Sequence, residues 1–343
     1  MDSSLLTRIQ ATLLERRHNL TEWIHHTPAQ KKRVRFGPAG EQAAQEYLRV
    51  LDTALEKAEE KTFGACEICH GPIEVNRLEM DYTTNVCVDD LSEEQKRRLE
   101  RDLELSQQVQ QALLPQQAPD IPGMELAAFS QPARIVSGDY FDFFRFQDSA
   151  HGLAIADVVD KGMAASLLMA SLQASLRILV PGNDDPARVV ERLNALFCHN
   201  IRLIQFVTLF LGRFNHETRT LEYCNAGHNP PLLLRQPASR EEHIVWLEPT
   251  GAAIGLVEQF QFATATVTLA PGDILVLYTD GVTEAMNPQQ EQFGTERLAE
   301  FVQHESSLPA QDLLRELRRL LQEFTHDQPP MDDTTAIVLK AQA

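Results

Sequence analysis

What this chain of 343 residues lacks narrows its class before any motif is read. No apolar run reaches the roughly 18 residues that a membrane-spanning helix needs, and Met1 to Gln10 lacks the basic-then-apolar pattern of a secretory leader. Both absences point to the cytoplasm. Basic residues are scarce: 31 Lys and Arg stand against 49 Asp and Glu, and the formal net charge of -18 disfavours bulk binding to nucleic acid or to an anionic membrane. The exception is Met1 to Gly40, where seven Lys or Arg outnumber three Asp or Glu, with Lys31, Lys32, Arg33 and Arg35 close together. Cysteine is too sparse for a disulfide framework. Three of the five, Cys66, Cys69 and Cys87, fall in one short stretch, which suits metal ligation in a reducing compartment. There is no internal repeat and no long low-complexity tract. With 43% hydrophobic and 23% charged residues, the chain can bury a full core and divide into a catalytic domain and a smaller one.

Periodicity divides the chain further. Apolar residues recur at three- and four-residue intervals from Leu5 to Ile24 and from Gly40 to Lys61, which predicts two amphipathic helices joined by the basic, proline-containing turn: a helical hairpin over 1–62. A cysteine segment follows at 63–91. Ser92 can cap a charged helix that runs to about Leu114, where Pro115 stops it, giving a connector over 92–115. Its apolar positions drift off a strict heptad, so a dimeric coiled coil and packing on its own domain both stay open. From Met124 onward short β-rich runs dominate, interrupted by two helical stretches in the middle and two more before the last strand. Strands in runs with helices in pairs predict an α+β fold, a layered antiparallel β-sandwich flanked by helices, over 116–343.

Four of these strands end at or begin beside aspartate: SGDYFD with Asp139 and Asp142, AIADVVDKG with Asp157 and Asp160, VLYTDGVTEA with Asp280, and MDDTTAIVL with Asp332 and Asp333. A single Asp-Gly is usually a turn. Four such aspartates at strand edges call for a cation among them, and oxygen ligands without His or Cys favour magnesium or manganese over zinc.

In order, ALLP (Ala112 to Pro115), SGDYFD, ADVVDKG followed by MAASLLMA, NAGHNPPLLL, LYTDGVTEA and DDTTAIVL resemble the SpoIIE-type branch of the metal-dependent, protein phosphatase 2C-like family, over about Leu99 to Lys340. The resemblance implies a pair of antiparallel sheets flanked by helices and a two-metal site. Asp139 and Asp157 would coordinate the pair, Asp157 bridging and the Val158 carbonyl contributing. Asp280 and Asp332 would complete it, with Asp333 sharing the place of Asp332. Two Mn2+ or Mg2+ ions would then activate a water for in-line attack on a phosphoseryl or phosphothreonyl phosphorus. The implied substrate is an anti-sigma-factor antagonist in a bacterial partner-switching pathway. The connector helix would carry a signal to the metal site, and a homodimer is compatible with it. Arg134, five residues before Asp139, stands where relatives carry a phosphate-gripping arginine. Asp142 and Asp160 read as solvated or structural, and His228, between Gly227 and two prolines, reads as part of a rigid turn more than as a general acid. Ser137, Val159 and Asp160 depart from the family pattern, which bears on metal affinity. The competing reading is a regulator that binds the transcription machinery, its phosphatase-like body weak or inactive.

The cysteine segment places Cys66-x2-Cys69 seventeen residues before Cys87-x2-Asp90, a zinc spacing with a carboxylate as fourth ligand; His70 or Asp89 are alternatives to Asp90, and a finger held by packing alone stays open. With FGACEIC and Arg77 to Glu79 it resembles the zinc finger of the DksA/TraR family, whose members bind RNA polymerase. The basic turn of the hairpin differs from the acidic tip of that family, so a docking or sensing role is expected.

Overall fold

The structure is a computed structural model. It describes residues 10–342 except 12, 15–16, 19, 23–24, 26–40, 61, 75–76, 79–82, 134, 160–161, 201–205, 237–242, 327 and 329. Arg134, Asp160, Glu79 and the basic turn from Lys31 to Arg35 therefore lie outside the described residues. The chain forms two compact units, Met1–Asp102 and Leu103–Ala343.

In the first unit, helix α1 (Glu41–Glu59) turns Leu51, Ala54, Leu55 and Ala58 inward, the three- and four-residue spacing of an amphipathic face. These pack with Leu13 and with Phe63, Cys66, Ile73, Leu78 and Cys87, so helix and cysteine segment share one core. Helix α2 (Glu93–Leu113) opens on a capping box: the Gln95 amide donates to Ser92 Oγ at 3.3 Å while the Ser92 amide donates to Gln95 Oε1 at 3.0 Å. The boundary between the units falls within this helix, at Asp102.

The β-rich runs of the second unit form ten strands among the described residues. They are β1 (Met124–Gln131), β2 (Tyr140–Arg145), β3 (His151–Val158), β4 (Val207–Asn215), β5 (Thr220–Ala226), β6 (Leu232–Leu234), β7 (Ile244–Trp246), β8 (Ala265–Thr268), β9 (Ile274–Tyr278) and β10 (Thr334–Ala341). One sheet runs β1-β10-β9-β6-β7 and the other β2-β3-β4-β5-β8, with every strand pair antiparallel. Alternate residues of each strand serve different cores. Phe141, Phe143, Leu153, Ile155, Phe210, Leu277 and Ile337 fill the space between the sheets. On the far side of the second sheet, Tyr140, Ala154, Ala156 and Leu209 meet α3 (Met163–Leu179) and α4 (Pro186–Asn200). On the far side of the first, Val276, Ala336 and Val338 meet α6 (Gly294–His304) and α7 (Ala310–Phe324); between β9 and α6 lies the single turn α5 (Asp280–Thr283). Helices cover both sheets, so the central strands read as nearly continuous apolar runs.

One reading needs correction. Ala164–Gly182, 19 residues of mean hydropathy 1.4, is long and apolar enough by length and composition to cross a membrane. Its Ala165, Met169, Leu172 and Leu176 are buried against the second sheet, and its Arg177 guanidinium forks onto Asp142 of β2 at 2.6 and 2.8 Å. One face of it is buried on the sheet, while Leu167 and Ile178 are exposed.

Candidate active site

Strand register brings the aspartates to one end of the sandwich. In the second sheet Tyr140 pairs with Ala156, which sets Asp139 at the strand end occupied by Asp157. In the first sheet Ala336 pairs with Tyr278, so the Asp332–Asp333 turn entering β10 and Asp280 leaving β9 share one end. Thr279 joins the two sheets: its hydroxyl donates to Asp139 Oδ2 at 2.7 Å and accepts the Thr335 amide at 3.0 Å.

Asp139 is buried, only 1% exposed. Burial, then the negative charges of Asp157 and Asp333, hold its carboxyl well above the usual range, while hydrogen bonds from Thr335 and Thr279 pull the other way. A carboxylate cluster that raises its own pKa in this way is chemically fitted to a hard cation, which inverts the balance.

Asp332 and Asp333 are separated by their contacts. Asp333 accepts the Ala133 amide on Oδ1 and the Gly138 amide on Oδ2, both at 2.7 Å, and so ties the loop that carries Asp139 to the start of β10. Asp332 accepts the Asp333 amide at 2.9 Å. Gly281, next to Asp280, explains the Asp-Gly pair here. A Cβ at that position would stand 2.0 Å from the Asp333 carbonyl oxygen, so only hydrogen lets α5 approach the turn. Gly281→Ala is expected to push the two segments apart, lowering thermal stability by about 1–3 kcal/mol, the scale of a forced misfit, and activity more steeply. A melting curve and a turnover assay on the same preparation check this.

Asp142 is structural and fully buried, not solvated: it accepts the Tyr140 hydroxyl at 2.7 Å as well as the Arg177 fork. Ser137 is buried, with its backbone paired to the side-chain amide of Gln110 on α2: Nε2 donates to the Ser137 carbonyl at 2.7 Å and Oε1 accepts the Ser137 amide at 2.8 Å. The end of the connector helix is thus joined to the loop two residues before Asp139. Val159 is partly exposed beyond the end of β3, and Val158 is buried as its last residue.

His228 is 2% exposed, too enclosed to serve as a proton donor at the surface. Its Nδ1 lies 2.8 Å from Thr208 Oγ1, and Thr208 faces Asp157 across the β3–β4 ladder. It therefore backs the strand that carries Asp157. Burial lowers its pKa from 6.5 to about 4. Between those values the unfolded chain binds a proton that the folded chain refuses, so its contribution is complete above pH 6.5 and is lost as pH falls towards 4. The loss should reach about 3 kcal/mol. The stability difference between wild type and His228→Gln, followed by urea unfolding from pH 7 to pH 4, should shrink by that amount.

In the first unit, one donor atom each from Cys66, Cys69, Cys87 and Asp90 lie within 4.8 Å of one another. Asp90 Oδ2 is 3.1 Å from Cys66 Sγ and 3.0 Å from Cys87 Sγ, and Cys69 Sγ is 3.6 Å from Cys87 Sγ. Thiol hydrogen bonds, those from Cys69 and Cys87 first, hold Asp90 down at about 2, and the same carboxylate pushes Cys87 up to about 12. Neither His70, exposed with a φ of 58°, nor Asp89 belongs to this group. Among the described residues no other such set is so closely gathered. The aspartates of the second unit are more widely set.

Sequence reading missed Gln110, Thr279, Thr335 and Gly281. Thr279, Gly281 and Thr335 lie inside motifs already singled out and Gln110 two residues before one, but each role depends on a partner 27 or more residues away.

Known proteins match this arrangement. A family model for stage II sporulation protein E (SpoIIE) matches residues 147–342. The chain is 33% identical over 226 residues to protein IcfG of Synechocystis, covering 58% of this chain and 35% of that protein. It is 29% identical over 247 residues to the phosphoserine phosphatase RsbU of Bacillus subtilis, covering 71% of each. The chain therefore spans about a third of the first relative and more than two thirds of the second. The PP2C domain of SiaA from Pseudomonas aeruginosa superposes with a TM-score of 0.63 at 19% identity, over 71% of this chain and 98% of that one, which establishes the shared fold. With the model spanning more than half its length, the chain belongs to the SpoIIE family.

Proposed function

We propose that the chain hydrolyses phosphoserine and phosphothreonine in a protein partner, using two Mn2+ or Mg2+ ions held by Asp139, Asp157, the Val158 carbonyl, Asp280 and Asp332. The observation that carries this is the buried Asp139, flanked by Asp157 and Asp333 and bridged by Thr279 to the opposite sheet. When bound, the ions would supply Lewis acidity and a water acidified towards neutral pH. The chain's own residues do the rest. Thr279 orients Asp139, Asp333 fixes the loop before it, and Gly281 lets Asp280 approach the Asp332 turn. Arg134, outside the described residues, would be the phosphate-gripping arginine that the resemblance implies, a task its bidentate fork suits.

The similarity to RsbU supports a phosphorylated anti-sigma-factor antagonist as substrate. The family's model covers only the second unit, so the first is read as regulatory. The Gln110 pairing with Ser137 supports a route for control, since a shift of α2 would move the Asp139 loop. The first unit would hold one zinc ion through three thiolates and Asp90, a donor set of the right chemistry and number. Purified full chain with manganese should release phosphate from phosphoserine and phosphothreonine peptides and leave a phosphotyrosine peptide intact. No manganese-dependent release from any of them would sink the phosphatase reading.

A further inference from the structure

Beside the aspartates a groove of 370 Å3 runs between β1, α7 and the turn into β10, and it shares Gly281 and Asp332 with the candidate active site. Its volume falls at the lower end of the roughly 300–1,000 Å3 typical of ligand pockets, more than a phosphate alone needs. Phe129, Met286 and Leu321 line it, and Met331 stands at its rim, 74% exposed and next to Asp332 in sequence. A flexible thioether left in water beside a reaction centre is suited to covering an apolar side chain.

The charge in the groove is as informative as its apolar wall. Three arginines follow one another along this part of α7. Arg315 pairs with Asp312, and Arg319 pairs with Glu316 and Glu323. Arg318 differs: its guanidinium lies over the Phe129 ring at 5.4 Å and reaches Gln131 Oε1 at 3.5 Å, and among the described residues it pairs with no carboxylate. The groove is also lined by Glu284 and Asp332, and a planar cation there with no carboxylate partner among the described residues can meet an external anion.

We infer that this groove binds the polypeptide on one side of the phosphorylated residue, taking an apolar side chain against Phe129 and Leu321 and an acidic side chain on Arg318. The inference rests on the phosphatase reading. A phosphoseryl group delivered to the aspartates carries its neighbours with it at about 3.3 Å per residue of extended chain, and the groove beginning at Asp332 receives them. Arg318 is thus a specificity-determining residue outside the reacting atoms.

The test uses full chain with manganese and phosphoserine peptides in which one glutamate is moved from three positions before the phosphoserine to three after, each with a lysine counterpart. p-Nitrophenyl phosphate, which has no flanks, reports the reaction centre. Arg318→Glu should raise KM about tenfold for the glutamate peptide that wild type prefers, the scale of a lost charge-assisted contact. It should also lower KM for the lysine counterpart, with p-nitrophenyl phosphate turnover and melting temperature unchanged. Met331→Glu, at the exposed rim, should weaken the same peptides without touching the helix. Overturning results are a wild type indifferent to glutamate position, an Arg318→Glu effect equal for every peptide, or a change in oligomeric state without a change in peptide KM, which would assign the groove to a second copy. If wild type turns over neither peptide nor p-nitrophenyl phosphate, the phosphatase reading fails separately. Fluorescence anisotropy of the labelled peptides then decides the groove: binding weakened by Arg318→Glu keeps it, and equal binding removes it.

Discussion

Asp157→Asn is expected to lower manganese-dependent phosphate release by about a thousandfold, the scale on which removing one electrostatic group from such a centre acts, while making the metal-free protein more stable. The two effects have one cause. Asp157 raises the pKa of buried Asp139 by charge repulsion, so without a cation their proximity destabilises the fold. The amide keeps the shape and removes a charge. A relief of about 1 kcal/mol would raise the melting temperature by about 2–4 °C for a unit of this size. Manganese, which should raise the melting temperature of wild type through linkage, should raise that of Asp157→Asn far less. Scanning calorimetry with and without manganese, alongside the turnover assay, reads all three quantities. A variant that loses activity and also melts lower would mean that Asp157 holds the fold rather than the metal.

The second large effect concerns the first unit. Its core is a short roster around Leu51, Leu55, Phe63 and Leu78, and two of its members, Cys66 and Cys87, are themselves members of the thiol–carboxylate group. A core that small usually needs a staple, and a metal held by the residues that fill it serves as one. Full chain purified without chelator is expected to carry one zinc ion by elemental analysis. Stripping it should abolish the separate unfolding transition of residues 41–90 and make that segment the first cleaved by protease, while phosphatase-unit melting stays in place. Cys66→Ser should weaken zinc by more than about a hundredfold, the upper end of what losing even an outer-shell partner costs. Asp90→Ala should lose less than Cys66→Ser, and Asp89→Ala nothing. Retention of zinc by Asp90→Ala at full affinity would return the fourth position to another ligand. A chain that folds identically with and without the metal would make the segment a finger held by packing.

How far the sequence reading reached is clearest at particular residues. The ten strands were legible because each is a short apolar run bounded by turn residues, and the nearly continuous apolar character of YFDFFRF and GLAIADV corresponds to two faces serving two cores. The capped start of α2 was legible because Ser92 and Gln95 act on each other within one turn. Ala164–Gly182 was underestimated as an apolar run, because its few polar residues are scattered along it, and one of them, Arg177, turns onto Asp142 of β2. The role of Asp142 was only half legible: the sequence offers no hint that Arg177, 35 residues on, turns back to it.

The sequence by itself determined the local patterns. Carboxylates at strand ends, a Cys-x2-Cys pair followed by a third cysteine and a capped connector follow from backbone periodicity and side-chain type alone. Only the tertiary structure decided which partners each carboxylate meets. Asp332 and Asp333 are adjacent and chemically alike, and what separates them is that Asp333 meets the amides of Ala133 and Gly138, about 200 residues earlier in the chain, once β1 pairs with β10. The same holds for Gly281 under the Asp333 carbonyl and Thr279 under Asp139. Contacts of that reach exist only after two sheets have stacked, and hydrogen bonds act over about 3 Å, so no reading of neighbours along the chain can supply them.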